Sequence, residues 1–126
     1  MNHPIFVYGS VMTGGFNNYI MDDAVSHGET QTTEAHFSLI DMLMYPAAIY
    51  GTSKIHGELF MAPQSTLDRL DILEQNGTFY ERILLEVDSF PPLVWMYMLM
   101  EHVLDTDTFD TIPATNGIVT WKKSHV

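Results

Sequence analysis

The run LVWMYMLM (Leu93–Met100) sets the strongest limit on the fold. Eight successive apolar or aromatic side chains leave a strand no polar face to give to water. Such a segment is a central strand covered on both sides, or a stave of a closed barrel. The rest of the chain must therefore supply the cover. With 126 residues, 46% of them hydrophobic, one domain spanning residues 1–126 is sufficient.

Other segments fill in the layers. PIFVY (Pro4–Tyr8) reads as a buried strand, and EAHFSLIDML (Glu34–Leu43) and KIHGELFM (Lys54–Met61) as further strands. FYERILLEV (Phe79–Val87) alternates in part, and SFPP follows as a turn because Pro91 and Pro92 cannot sit inside a ladder. The acidic, turn-rich stretch His102–Gly117 reads as a surface loop. One helix stands out in APQSTLDRLDILEQNG, with Ser65 as N-cap, Asp68 at the third helical position and Gly77 as the stop. Many strands and one good helix predict an α+β fold on a mixed, curled sheet.

That helix contains an anomaly. Leu67, Leu70 and Leu73 mark its buried stripe, and at about 100° per residue Glu74 lies only about 20° from the direction of Leu67. A carboxylate inside an apolar stripe must be paired, protonated or housed in a wet pocket, because burying a bare charge is costly. Burial would raise its proton affinity toward the range useful for acid/base chemistry. The other reading is a long side chain in a fraying last turn that reaches back to water.

Charge and composition narrow the partners. Five Lys and Arg against 16 Asp and Glu give a formal charge of −11, a field that repels nucleic-acid backbones and anionic membranes. There is no cysteine, which excludes disulfides and thiol chemistry. The six histidines show no metal-ligand spacing. No secretory leader or apolar span is recognisable, which predicts a cytoplasmic protein. Ser10 lacks the G-x-S-x-G context of a hydrolase nucleophile. Met96, Met98 and Met100 alternate along one strand face and read as core filling, and Glu58 reads as a paired strand carboxylate.

The blocks VYGSVMTGGFNN, LIDMLMYPAA, IHGELF, LDRLDILE, FYER and WMYM occur in that order over residues 4–100. In this the chain resembles the gamma-glutamylcyclotransferase-like family, in its small bacterial-type branch, which includes gamma-glutamylamine cyclotransferases. The resemblance implies a compact mixed β-barrel with a few helices and a cavity at one end. It implies that the loop Tyr8, Gly9, Ser10, Val11 turns backbone N–H groups toward a substrate carboxylate, Gly allowing close approach. It assigns Glu74 as the catalytic acid/base, and Tyr45, Tyr80 and Tyr97 as cavity-lining positions, with Asn17 in the first loop also at a recurrent position. The activity implied is release of 5-oxoproline from a small γ-glutamyl compound, with no metal or organic cofactor.

Three positions depart from the family's usual pattern. Met12 stands where Arg or Lys is common, Leu43 where Gly precedes Tyr-Pro, and Gln75-Asn76 where Gly follows the glutamate. Leu43 is expected to crowd the cavity. A non-catalytic binding module on the same fold is the competing reading. A cavity plugged by Leu43 or Met12, or a Glu74 turned to solvent, would favour it. Tyr80 shares its strand face with Arg82 and Glu86, so its hydroxyl is also a candidate for a purely structural polar network.

Overall fold

The computed structural model of the protein describes residues 2–104 and 109–121. Its strands are β1 (Asn2–Val7), β2 (Val25–Gln31), β3 (Phe37–Asp41), β4 (Pro46–Tyr50), β5 (Lys54–Pro63), β6 (Tyr80–Val87), β7 (Phe90–Leu99) and β8 (Ile118–Val119). A single α-helix among the described residues, α1 (Gln64–Leu73), joins β5 to β6. The main sheet has the order β2-β5-β1-β7-β6, with β8 alongside β5, and β3 and β4 form a separate hairpin. β1 runs antiparallel to β5 and parallel to β7. The fold is therefore mixed α+β.

The two-faced reading of the apolar run holds. From β7, Val94, Met96 and Met98 enter one buried cluster with Phe6, Ile55 and Leu59. Tyr97 and Leu99 enter the other, with Ile5, Val7, Phe60 and the α1 residues Leu67 and Leu70. Alternate side chains of one strand thus feed two cores, one on each side of the sheet.

The sheet does not close into a barrel; it ends at β2 and β6. These edges touch at one end only. Thr32 bridges to Val87, the Thr33 N–H donates to the Glu86 carbonyl at 3.0 Å, and the Asp88 N–H to the Gln31 carbonyl at 3.0 Å. Twist curls the sheet until its corners meet. The pinch lies at the Val87 end of β6, and Tyr80 begins the other, unpinched end.

Several local expectations are corrected. β2 and β4 carry no strand signal in the sequence reading: β2 is mostly exposed and polar, and β4 opens on a proline. Helix α1 begins at Gln64, directly out of β5, with Pro63 in the N-cap position and no side-chain cap, so Ser65 is not the cap. The stop is Gln75, not Gly77. Gln75 has φ 51°, its N–H reaches the Ile72 carbonyl at 3.2 Å, and the Asn76 N–H reaches that of Asp71 at 2.9 Å. That is a Schellman closure with a non-glycine residue in the left-handed position.

The prolines of SFPP lie inside β7 rather than in the turn. Between the pairs Leu85↔Val94 and Val87↔Phe90, residues 91–93 face the single residue Glu86, a bulge in which no regular ladder bond is required. The His102–Gly117 segment is more than a surface loop. Thr111 bridges to Ile40, and the buried Ile112 donates its N–H to the Leu39 carbonyl at 2.8 Å; residues 105–108 lie outside the described residues.

Leu43 sits in the β3–β4 turn with φ 77° and its side chain 71% exposed, its N–H held by Asp41 Oδ1 at 2.8 Å. It points to water rather than into a cavity. A left-handed leucine stores backbone strain without any packing return. Leu43→Gly should therefore raise unfolding stability by about 1 kcal/mol, read by urea denaturation at an unchanged m-value.

Candidate active site

The first loop begins where β1 ends and folds back upon itself. Asn17 ties it shut, donating its N–H to the Ser10 carbonyl at 3.0 Å and its Nδ2 to Ser10 Oγ at 3.0 Å. Gly15 is required here, since a Cβ would meet the Ser10 carbonyl oxygen at 2.1 Å. Gly9 is required for a different contact: its Cβ would meet the Pro46 ring at 2.8 Å. The close approach at Gly9 is thus to β4, packed against the loop.

Glu58 anchors this loop to the sheet. It lies on β5 directly across from Val7, the last residue of β1, and is buried. Its carboxylate accepts the Thr13 N–H at 2.8 Å, Thr13 Oγ1 at 2.7 Å and Ser26 Oγ at 2.6 Å. The expected pairing is real, but with three neutral donors instead of a cation. So held, the loop presents Gly9, Ser10 and Val11 to a cavity of about 410 Å³. Their backbone N–H groups have no acceptor among the described residues. Three successive unpaired amides are donors that could receive an anion without a basic residue.

Across the cavity stands Glu74, the C-cap residue of α1. Its N–H still bonds the Leu70 carbonyl at 2.8 Å, so it is not in a frayed turn. The side chain is half-buried, and no hydrogen bond or ion pair holds its carboxylate among the described residues. Loss of hydration, with nothing to offset it, pushes its pKa from 4.5 up to about 7. Tyr8, Tyr45, Tyr80, Tyr97 and Asn17 line the same cavity, so the structure brings together every site residue that the sequence predicts. Leu43 and Met12 do not line it, so neither plugs it.

The gamma-glutamyl cyclotransferase, AIG2-like family matches residues 5–116, a span containing the whole cavity lining. This chain belongs to that family. The gamma-glutamylcyclotransferase family protein ytfP of Citrobacter rodentium is 33% identical over 99 residues, covering 79% of this chain and 83% of the relative. The solution structure of ytfP from Escherichia coli has a TM-score of 0.67 at 28% identity, covering 98% of this chain and 99% of that one. The crystal structure of a mouse AIG2-like protein shares the fold, with a TM-score of 0.74 at 23% identity over 84% of this chain and 81% of that one.

Within this family frame, the three inner tyrosines are not equivalent. The Tyr8 hydroxyl donates to the Tyr97 carbonyl at 2.7 Å and accepts the Ala48 N–H at 3.0 Å, clamping β7 to β4. The Tyr97 hydroxyl donates to Asp71 Oδ1. Asp71 also takes Arg82 through Nε at 2.7 Å and the terminal nitrogen at 3.2 Å, while the guanidinium lies 4.5 Å from the Trp95 ring centre. The polar network considered for Tyr80 therefore belongs to Tyr97. The Tyr80 hydroxyl has no partner among the described residues. Burial first, then neighbouring negative charge, pushes its pKa above the usual tyrosine range and keeps it a neutral donor.

The mouth was not foreseen. Leu73, expected in the buried stripe, is 38% exposed and lines the cavity, because the last turn of α1 overhangs the opening. Phe16, Met44 and Phe79 join it there. Loop aromatics carry no periodicity from which such a placement could be read.

The satisfied Glu58 and the unpartnered Glu74 respond oppositely to amidation. Glu58→Gln should cost about 2 kcal/mol of stability and speed amide hydrogen exchange at Thr13, since one acceptor oxygen is replaced by a donor facing donors. Glu74→Gln should do the opposite. Below pH 4.5 the native carboxyl is protonated in both folded and unfolded chains; between 4.5 and about 7 only the unfolded chain ionises freely, so the native protein loses stability as pH rises. The melting temperature of the variant should match the native value at pH 4 and exceed it at pH 8.

Proposed function

We propose that the protein is a gamma-glutamyl cyclotransferase that releases 5-oxoproline from a γ-glutamyl amine or γ-glutamyl amino acid. One observation carries this reading: an unanchored, proton-retaining carboxylate, Glu74, shares a cavity with three unpaired backbone N–H groups. The family to which the chain belongs supports the reaction type.

In this reading the Gly9–Val11 amides bind the substrate α-carboxylate. Glu74 removes a proton from the α-ammonium, and the freed amine attacks the γ-carbonyl carbon. A carbon–nitrogen bond forms and a five-membered ring closes. Negative charge develops on the γ-oxygen, where the neutral Tyr80 hydroxyl donates. Glu74 then delivers its proton to the leaving nitrogen and the original γ-amide bond breaks; the now ionised Glu74 takes the second proton of the ring nitrogen and passes it to the departing amine, which leaves as its ammonium ion. No water is consumed and no electron changes hands. Holding the substrate folded is the larger contribution, since oriented intramolecular attack reaches effective molarities of about 10⁵–10⁸ M.

The test is a 5-oxoproline assay over γ-glutamyl amines, γ-glutamyl amino acids and glutathione, with Glu74→Gln alongside. Glu74→Gln should lose about 10²–10⁴-fold in kcat/KM. For the native enzyme kcat/KM should rise through pH about 7 as Glu74 ionises, and that limb should vanish in the variant. Turnover that survives Glu74→Gln would remove Glu74 from the chemistry. Folded native protein inactive on the whole panel would overturn the cyclotransferase reading.

A further inference from the structure

The cavity wall divides into a polar interior and an apolar mouth. The interior carries the amides, Glu74 and the Tyr80 hydroxyl. The mouth is formed by Phe16, Met44, Tyr45 and Leu73, all exposed to solvent, with Phe79 behind them. Among the described residues, no Lys, Arg or His lines any part of the cavity. The one charged side chain among the described residues that line it is the Glu74 carboxylate, in a chain whose formal charge is −11.

With the glutamyl carboxylate on the loop amides and the reacting atoms at Glu74, the leaving portion of the substrate extends to the mouth. An amino-acid or peptide leaving group brings a second carboxylate there. It would meet no cation, lose hydration against apolar walls and lie near Glu74. An alkyl or aryl group would instead bury apolar surface against Phe16, Met44 and Leu73, at about 25 cal/mol per Å².

We infer that the mouth residues Phe16, Met44 and Leu73 form a leaving-group subsite for an uncharged, hydrophobic amine and reject leaving groups that carry a carboxylate. Its chemistry rests on the cyclotransferase reading; its ligand class rests on the lining alone. Glutathione and γ-glutamyl dipeptides are thereby poor ligands, and γ-glutamyl conjugates of arylalkyl amines are good ones.

Two matched pairs isolate the two effects. γ-Glutamyl-2-phenylethylamine and γ-glutamylphenylalanine differ by one carboxylate, as do γ-glutamylethylamine and γ-glutamylalanine. The members of each class differ by the ring. We would measure kcat/KM for 5-oxoproline with the native enzyme, and Kd by calorimetry with Glu74→Gln. The phenylethylamine conjugate should exceed the ethylamine conjugate by about tenfold or more, and each amine should exceed its carboxylate partner by a similar factor. Leu73→Arg should narrow or reverse the carboxylate discrimination while lowering the advantage of the ring.

Carboxylate partners that bind and react as well as the amines would overturn the inference, as would no gain from the ring. Binding in the expected order with no 5-oxoproline would sustain the ligand class and overturn the cyclotransferase. Neither binding nor turnover with any of the four compounds would overturn both.

Discussion

The site depends on one buried carboxylate that does no chemistry. Glu58 gathers Thr13 and Ser26 and thereby ties the loop that follows β1 to the sheet by hydrogen bonds. The Asn17–Ser10 closure joins the loop only to itself, and the buried Val11 adds an apolar hold in the core. Through Glu58, the loop is fastened to the strand opposite its own origin, and the amides of Gly9, Ser10 and Val11 keep a fixed position against the sheet. Pro46 packs on Gly9 from the other side, so the loop is held between β5 and β4.

The same residue type has a different fate across the cavity. Glu58 is satisfied by three donors and Glu74 by none. The difference lies in position rather than in identity. Glu58 sits mid-strand, where neighbouring chains bring hydroxyl and amide groups. Glu74 caps a helix whose last turn overhangs an apolar opening, where there is little to donate. Desolvation without compensation is what raises its proton affinity. The left-handed Gln75 belongs to this arrangement: it stops the helix at the turn that leaves Glu74 facing the cavity.

Much of this was legible because it is periodic. A strand apolar on both faces demands a doubly covered sheet, and β7 feeds both cores. A glutamate in phase with Leu67 and Leu70 lies over the same interior as they do. What escaped the sequence was set by neighbours rather than by period. β2 is an edge strand with almost no buried face, so it lacks alternation. The β7 prolines are tolerated because a bulge removes the ladder bond they cannot make, and a bulge needs two strands to exist. Leu73 keeps the helical phase of a core residue, yet the core ends one turn before it. Tyr80 and Arg82 share a strand face as expected, but Asp71 on α1 draws Arg82 and Tyr97 away from Tyr80. That partnership spans three elements and leaves no mark in any one of them.

The apolar mouth links properties usually treated apart. Leu73 and its neighbours strip hydration from the Glu74 carboxylate, and the same surface disfavours a second carboxylate in any ligand. An arginine at the mouth would supply a partner for such a ligand, but it would also stabilise ionised Glu74 and lower its proton affinity. Ligand selectivity and acid strength therefore cannot be varied independently at this position. A cavity that takes its anion contacts from backbone amides avoids that conflict. The amides carry only partial charge and sit on the loop, whereas a lysine or arginine long enough to reach the substrate would also reach Glu74. In an acidic protein whose proposed acid/base must both take up and release a proton near neutrality, neutral donors on the loop would bind a substrate carboxylate and leave that proton affinity high.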